Sequence, residues 1–400
     1  MSKRLFCIVM FLVVLGCETK KESTALEVET ENSIAVIMNR VENNILPISK
    51  EGEMEEAPQT IASRMTKYNV VGLGIAVFDN NEIVWDKGYG LRNKNPNESV
   101  DSNTLFQAAS ISKPVASVVA FKLVEEKKLD LDENVNRKLV RWQIPDNQFT
   151  VREKVTLGRI MSHTAGLSTA GFDGYKKGTD LPTLDQILEG GSLSNSEPVR
   201  VIEEPGQSEN YSGGGMTILQ MLLEDVSEKD FAELANNLIF QPTGMHQSSF
   251  DYPLPEKLDS LTANGFSKNE EVIEGGYHVY PEKAAAGLWT TPSDLARFML
   301  SVGRSYRGEK NGLINQATAQ KMLTRVPGAG GMGFGIQGEG KSFRFRYSGR
   351  NAGFTCYAVS FADTGRGIVL MTNSDTSFPF LHELTKTISR EFQWPEMWLW

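Results

Sequence analysis

The chain has 400 residues, 40% of them hydrophobic and 23% charged, and its 41 Lys and Arg against 50 Asp and Glu give a formal net charge of −9. That size and balance describe a globular protein of one large domain or two ordinary ones, and exclude a fibrous or largely disordered chain. The acidic excess repels nucleic-acid backbones and no basic patch offsets it, so a nucleic-acid partner is excluded as well.

Residues 1–16 begin Met-Ser-Lys-Arg, run apolar from Leu5 to Leu15, and end at Gly16 before Cys17. The run is too short to cross a bilayer as a stable helix, and its basic head marks a signal peptide. Val14-Leu15-Gly16-Cys17 resembles a bacterial lipoprotein cleavage site, which implies lipidation of Cys17 and attachment to a membrane of the cell envelope. Cys7 falls in the signal and Cys356 in the body, so the mature domain is left without a disulfide, and Cys356 is expected to be a buried small hydrophobe. Residues 17–59, rich in Glu, Lys, Thr, Ser and Asn, are expected to form a polar tether with one helix between Ser33 and Ile45.

Two β-prone runs, Val70–Phe78 and Ile83–Gly90, flank the polar turn Asp79-Asn80-Asn81-Glu82 and predict a hairpin that opens a sheet. An apolar run with helical spacing follows Ser110 and ends at Glu125–Lys128. Residues 129–281 then read as a mainly helical insertion, with helices over Thr156–Met161, Met216–Val226 and Asp230–Phe240. A helix over Pro292–Val302, capped by Thr290 or Thr291, precedes four strands, Gly333–Gln337, Ser342–Tyr347, Gly353–Phe361 and Gly365–Thr372, and a closing helix over Phe380–Phe392. Strands at both ends predict one sheet domain from 60–128 plus 282–400, flanked by helices, with the cleft between sheet and insertion.

Ser110 and Lys113 stand three residues apart at the head of the helix that follows, so they share a face. A serine hydroxyl needs a nearby base to act as a nucleophile, and a lysine or its neighbours can supply one. His246, His278 and His382 lack metal-ligand spacing, so no metal is implied, and the Gly-rich stretch Gly328–Gly335 has no preceding strand and is read as a loop entering a strand.

Taken in order, Ser110-Ile111-Ser112-Lys113, Met161-Ser162-His163-Thr164-Ala165-Gly166-Leu167, Pro205-Gly206 before Tyr211-Ser212-Gly213, Gly244-Met245, and Gly349-Arg350-Asn351-Ala352-Gly353-Phe354 resemble the serine β-lactamase-related family over about Thr60 to Arg390. That family includes class C β-lactamases, D-alanyl-D-alanine carboxypeptidases, D-aminopeptidases and family VIII esterases. The resemblance implies an α/β (α+β) fold of the β-lactamase/transpeptidase type, an antiparallel sheet flanked by helices with an inserted helical domain. It also implies catalysis by Ser110, Lys113 and Tyr211 through an acyl-serine, without a cofactor. The backbone N–H groups of Ser110 and Arg350 would bind the oxyanion, and Tyr347, Ser348, Gly349, Asn351 and Gly213 would meet a small-molecule or peptide substrate. His163 belongs by the same resemblance to a structural loop.

Two positions depart from the family pattern. Gly213 stands where an asparagine is usual, and Tyr347 where a lysine or histidine helps to hold a substrate carboxylate. An uncompensated carboxylate in a partly dry cleft is costly, so esterase or D-amino-acid peptidase chemistry is expected ahead of penicillin hydrolysis or carboxypeptidase action. Arg344, Arg346 or Arg350 remain as alternative sources of that charge. A non-catalytic protein that binds cell-wall fragments is the rival reading from another class.

Overall fold

A computed structural model describes residues 33–48 and 57–395. The expected signal, Cys17, much of the tether and residues 396–400 lie outside the described residues.

The run after Val70 forms β1 (Gly72–Asp79), which turns through Asn80 and Asn81 into β2 (Glu82–Asn93). Both asparagines have positive φ, 50° and 69°, a conformation their short polar side chains tolerate better than most. A two-residue β3 (Glu98–Ser99) pairs with β2. The remaining strands come from the other end of the chain: β4 (Gly335–Gln337), β5 (Arg344–Asn351), β6 (Phe354–Phe361) and β7 (Arg366–Thr372). They form one seven-stranded sheet in the order β3-β2-β1-β7-β6-β5-β4, and every neighbouring pair is antiparallel.

Alternation along these strands explains why their sequences look apolar throughout, because the sheet is covered on both faces. Leu73, Ile75 and Val77 of β1, with Tyr357 and Val359 of β6 and Leu370 of β7, join an outer core under the terminal helices. Ala76 and Phe78, with Cys356, Ala358 and Val369, face a larger inner core shared with the helical middle of the chain. Cys356 is fully buried, its thiol donates to the Ala108 carbonyl, and burial pushes its pKa up, so it is an inert part of this core.

The outer layer contains a helix over residues 33–43, a short helix Ile61–Lys67 and the closing helix Phe378–Glu391. Arg64 of the short helix and Glu383 of the closing helix, 2% and 1% exposed, form a two-point ion pair, Nε to Oε2 at 2.8 Å and a second nitrogen to Oε1. The Tyr68 hydroxyl donates to the same carboxylate at 2.8 Å, and burial followed by that anion pushes its pKa up to about 12. On the inner face, helix Pro292–Arg307 packs on β1, β6 and β7, and the Thr291 hydroxyl caps it by accepting from Asp294 N–H.

Several boundaries differ from expectation. Ser110 does not open the α-helix: it lies in a 3-10 turn, Ala109–Ile111, and the α-helix runs from Ser112 to Glu125. The helix expected over Asp230–Phe240 is α-helical only to Ala235 and continues as a π-turn to Phe240. The strand expected to stop at Tyr347 runs on to Asn351, because Ser348, Gly349, Arg350 and Asn351 keep pairing with Tyr357, Cys356, Thr355 and Phe354.

Candidate active site

The 3-10 turn leaves Ser110 partly exposed between the fully buried Ala109 and Ile111. Ala109, just before it, has φ 49°, a left-handed conformation that costs a non-glycine residue of order 1 kcal/mol or more and that recurs at functional sites. The three-residue spacing then does what the sequence led one to expect: Lys113 Nζ donates to Ser110 Oγ at 2.9 Å. Lys113 is only 2% exposed, and its ammonium also donates to the Ala285 carbonyl at 2.7 Å.

Tyr211 comes from the segment leading into helix Gly213–Ser227, and its hydroxyl donates to the same Ser110 Oγ at 2.9 Å. Three expected residues therefore meet at one oxygen. Burial by itself raises the Tyr211 phenol, but the adjoining Lys113 charge, together with the polar side chains of Ser110 and Tyr347 close by, outweighs it, and the net shift is downward. A phenol eased toward its anion beside a serine hydroxyl can take that proton and return it to a leaving group.

On the opposite side β5 passes against the turn. A Cβ at Gly349 would fall 2.5 Å from the Ala108 carbonyl and 2.8 Å from the Ser110 nitrogen, so only glycine allows this approach. It sets the strand carrying Arg350 beside the Ser110 N–H, the two expected oxyanion donors. Arg350 keeps its side chain exposed. Gly213 packs against Ala170 and the Phe172 ring, and Gly213 N–H donates to the Ala170 carbonyl. Asn351 is 5% exposed, and its amide donates to Gln107 Oε1 at 2.7 Å and to the Ala286 carbonyl at 3.1 Å, so those protons are taken up within the protein.

His163 contributes more than its loop position implied. Its φ is 57°, and its carbonyl accepts from Asn210 N–H at 2.7 Å while its Nδ1 accepts from Ser212 N–H at 3.3 Å. This fastens it to both sides of Tyr211, whose ring lies 4.5 Å away, centroid to centroid. Its Nε2 lies 3.3 Å from the Tyr347 hydroxyl. Burial, then the Lys113 charge, pushes His163 down to about 3, which leaves the ring neutral.

Tyr211, Tyr347 and His163 also wall an open cavity of about 210 Å³ bordered by the glycine-rich loop at Gly330–Gly335. Of the three arginines considered from sequence, only Arg346 borders it, and its side chain shares the Arg344 face of the strand, where its charge acts on Tyr357 and His382; Glu209 lines the cavity too. Arg344 is 3% exposed, on the strand face turned away from Phe345 and the inner core. Ser348 borders the same cavity.

Sequence reasoning missed Glu282. It is fully buried, neither carboxylate oxygen has a hydrogen-bond partner, and desolvation pushes its pKa up to about 8. It lies three residues before Ala285, which holds Lys113, and one residue after Pro281, whose carbonyl accepts from Gln220. Nothing in Pro281-Glu282-Lys283 distinguishes it from a surface glutamate. Among the described residues no cluster of His, Cys, Asp and Glu could hold a metal.

A family model described as Beta-lactamase matches residues 57–389. The teichoic acid D-alanine hydrolase of Staphylococcus aureus (strain MRSA252) is 23% identical over 308 residues, 68% of this chain and 71% of that relative. Among solved structures, the octameric penicillin-binding protein homologue from Pyrococcus abyssi superposes with a TM-score of 0.69 at 22% identity, covering 83% of this chain and 76% of that one. A class C beta-lactamase superposes with a TM-score of 0.66 at 18% identity, covering 84% and 95%.

Proposed function

The chain belongs to the beta-lactamase family, and on that premise we propose that it is a serine hydrolase that cleaves an ester or amide through an acyl-Ser110 intermediate. The observation that carries this reading is the convergence of Lys113 Nζ and Tyr211 Oη on Ser110 Oγ, each at 2.9 Å. Ser110 Oγ attacks the substrate carbonyl as its proton passes to the Tyr211 phenolate, which Lys113 stabilises. The oxyanion is met by the N–H groups of Ser110 and Arg350, each worth roughly 100-fold or more in turnover. Tyr211 then protonates the departing oxygen or nitrogen. Water, activated by the same phenolate, releases the acyl group and restores Ser110.

The acyl group favoured is uncharged or amino-bearing. Tyr347 and neutral His163 bring no positive charge to the cavity, Glu209 stands in its wall, and the Arg346 charge acts on Tyr357 and His382 on the other face of the sheet. The D-alanine hydrolysis in the Staphylococcus relative's name is one reaction of this kind. The leader-like residues 1–16 and Cys17 support placing the enzyme at a bacterial cell envelope, held by a lipid. The Beta-lactamase family model over residues 57–389 favours a second reading, hydrolysis of a penicillin or of a peptide ending in D-alanine.

Intact-mass spectrometry with parallel turnover assays tests both readings, using p-nitrophenyl butyrate, a D-alanyl ester of glycerol and penicillin, each with wild type and Ser110→Ala. Ester turnover in wild type alone supports the first reading. A penicillin adduct or hydrolysis in wild type alone moves the assignment to the second. No turnover or adduct with any of the three overturns both and leaves a binding protein.

A further inference from the structure

We infer that Asn351 and Gln107 are positioning residues of the reaction, a buried amide pair that ties the oxyanion strand to the nucleophile segment and to the turn that holds Lys113; this rests on the acyl-serine reading above. Asn351 Nδ2 donates to Gln107 Oε1 at 2.7 Å and to the Ala286 carbonyl at 3.1 Å, and Gln107 Nε2 donates to the His278 carbonyl at 2.7 Å. A side-chain amide can be turned either way, but a backbone carbonyl only accepts. The His278 carbonyl therefore fixes Gln107 with its nitrogen toward that oxygen and its own oxygen toward Asn351. Gln107 and Ala286 then both demand the Asn351 nitrogen, so one orientation of the pair satisfies all three bonds.

Each member of this network adjoins a group that the reaction needs. Asn351 ends β5 directly after Arg350, the second expected oxyanion donor. Gln107 stands three residues before Ser110, in a two-residue strand (Phe106–Gln107) paired with Trp289–Thr290. Ala286 follows Ala285, whose carbonyl accepts from the Lys113 ammonium, and Gln220 pins the same turn through the Ala284 N–H and the Pro281 carbonyl. From Tyr347 to Asn351, among the described residues, backbone pairing holds β5 on the β6 side alone. Gly349 lets the strand close on the Ser110 nitrogen but has no side chain to keep it there. The Asn351 amide supplies that tie. Asn351 and Gln107 are 5% and 2% exposed, so no bulk water stands by to replace a lost bond, and a shift in any of the three segments is passed to the other two.

The test compares wild type, Asn351→Leu, Gln107→Met and the double variant of the full chain. It reads turnover of p-nitrophenyl butyrate and inhibition by butylboronic acid, whose tetrahedral adduct on Ser110 sets an oxygen between the two oxyanion N–H groups. Asn351→Leu is expected to lower kcat about 100-fold, as one misplaced oxyanion donor does, with KM within about twofold, and to weaken boronate inhibition by a similar factor. Gln107→Met should cost about tenfold, because the bond to Ala286 remains, and adding it to Asn351→Leu should cost no more than Asn351→Leu alone. An amide pair that only stabilised the fold would lower the thermal midpoint and leave kcat and boronate inhibition of the folded protein at wild-type values. That result, or independent addition of the two losses, overturns the inference. Should Asn351→Leu not fold, Gln107→Met decides by the same two readouts. Wild type that neither turned over the ester nor bound the boronate would remove the acyl-serine reading, and the inference with it.

Discussion

Replacing Glu282 with glutamine tests whether a buried, unpartnered carboxyl stands behind the site as a neutral acid. In the folded chain this group keeps its proton up to about pH 8, against about 4.5 for an ordinary glutamate. The folded pKa is the higher one, so its contribution to stability is complete below about pH 4.5 and is lost as pH rises through 8. Between those limits unfolding releases a proton, and stability falls by about 1.4 kcal/mol per pH unit from this group alone. From pH 5 to pH 8 that amounts to roughly 3 to 4 kcal/mol, a large share of the 5 to 15 kcal/mol typical of a folded protein. Equilibrium urea denaturation of wild type and Glu282→Gln at pH 5, 6.5 and 8 measures it. Glutamine has nearly the same shape and cannot ionise; its extra N–H donors give an offset that does not depend on pH. Wild type should lose those few kcal/mol relative to the variant as pH rises. Parallel pH profiles for the two proteins would refute the reasoning, because they would mean a carboxylate already ionised and compensated at neutral pH.

Tyr211→Phe removes the expected proton carrier and should lower kcat on an ester by 100-fold or more while KM changes little, as steady-state kinetics would report. Gly349→Ala forces a methyl group to within 2.5 Å of the Ala108 carbonyl, and should cost at least 100-fold in kcat/KM by pushing the strand off Ser110, while circular dichroism stays native. Glu383→Gln breaks the buried pair with Arg64 and should destabilise by about 3 to 5 kcal/mol, visible as a drop in thermal midpoint with the ester pH profile unchanged in shape.

Alternation and turn chemistry made the sheet readable. Asn80-Asn81 between two β-prone runs could be little other than a hairpin, and Thr291 before Pro292 announced a helix start. Ser110, Lys113 and Tyr211 were legible because each lies in a short local pattern whose order along the chain is distinctive. What stayed hidden depends on groups that have no local signature. The Ala285 carbonyl that holds Lys113 is backbone, and the Glu282 carboxyl looks like any charged loop residue until the fold closes over it. His163 was placed correctly in a loop, but its contact with Tyr347 spans 184 positions, and the ring's tautomer is decided by an amide on a third segment. The end of β5 was misjudged because glycine and asparagine at positions 349 and 351 read as turn residues, whereas pairing with β6 carries the strand through them.

The sheet order has a consequence for how the chain can be assembled. β1 is paired on one side by its hairpin partner and on the other by β7, the last strand among the described residues. Until residues 366–372 arrive, a long and very apolar strand edge has no mate, the kind of edge that pairs indiscriminately with other chains. Joining ends almost 300 residues apart also makes a slow, non-local closure. The oxyanion side of the cleft is carried by β5, which reaches Ser110 only as part of that same late-docking block. A truncated or half-folded chain would therefore be sticky without being active, and chaperone protection during synthesis should matter more to its yield than the strength of its finished core.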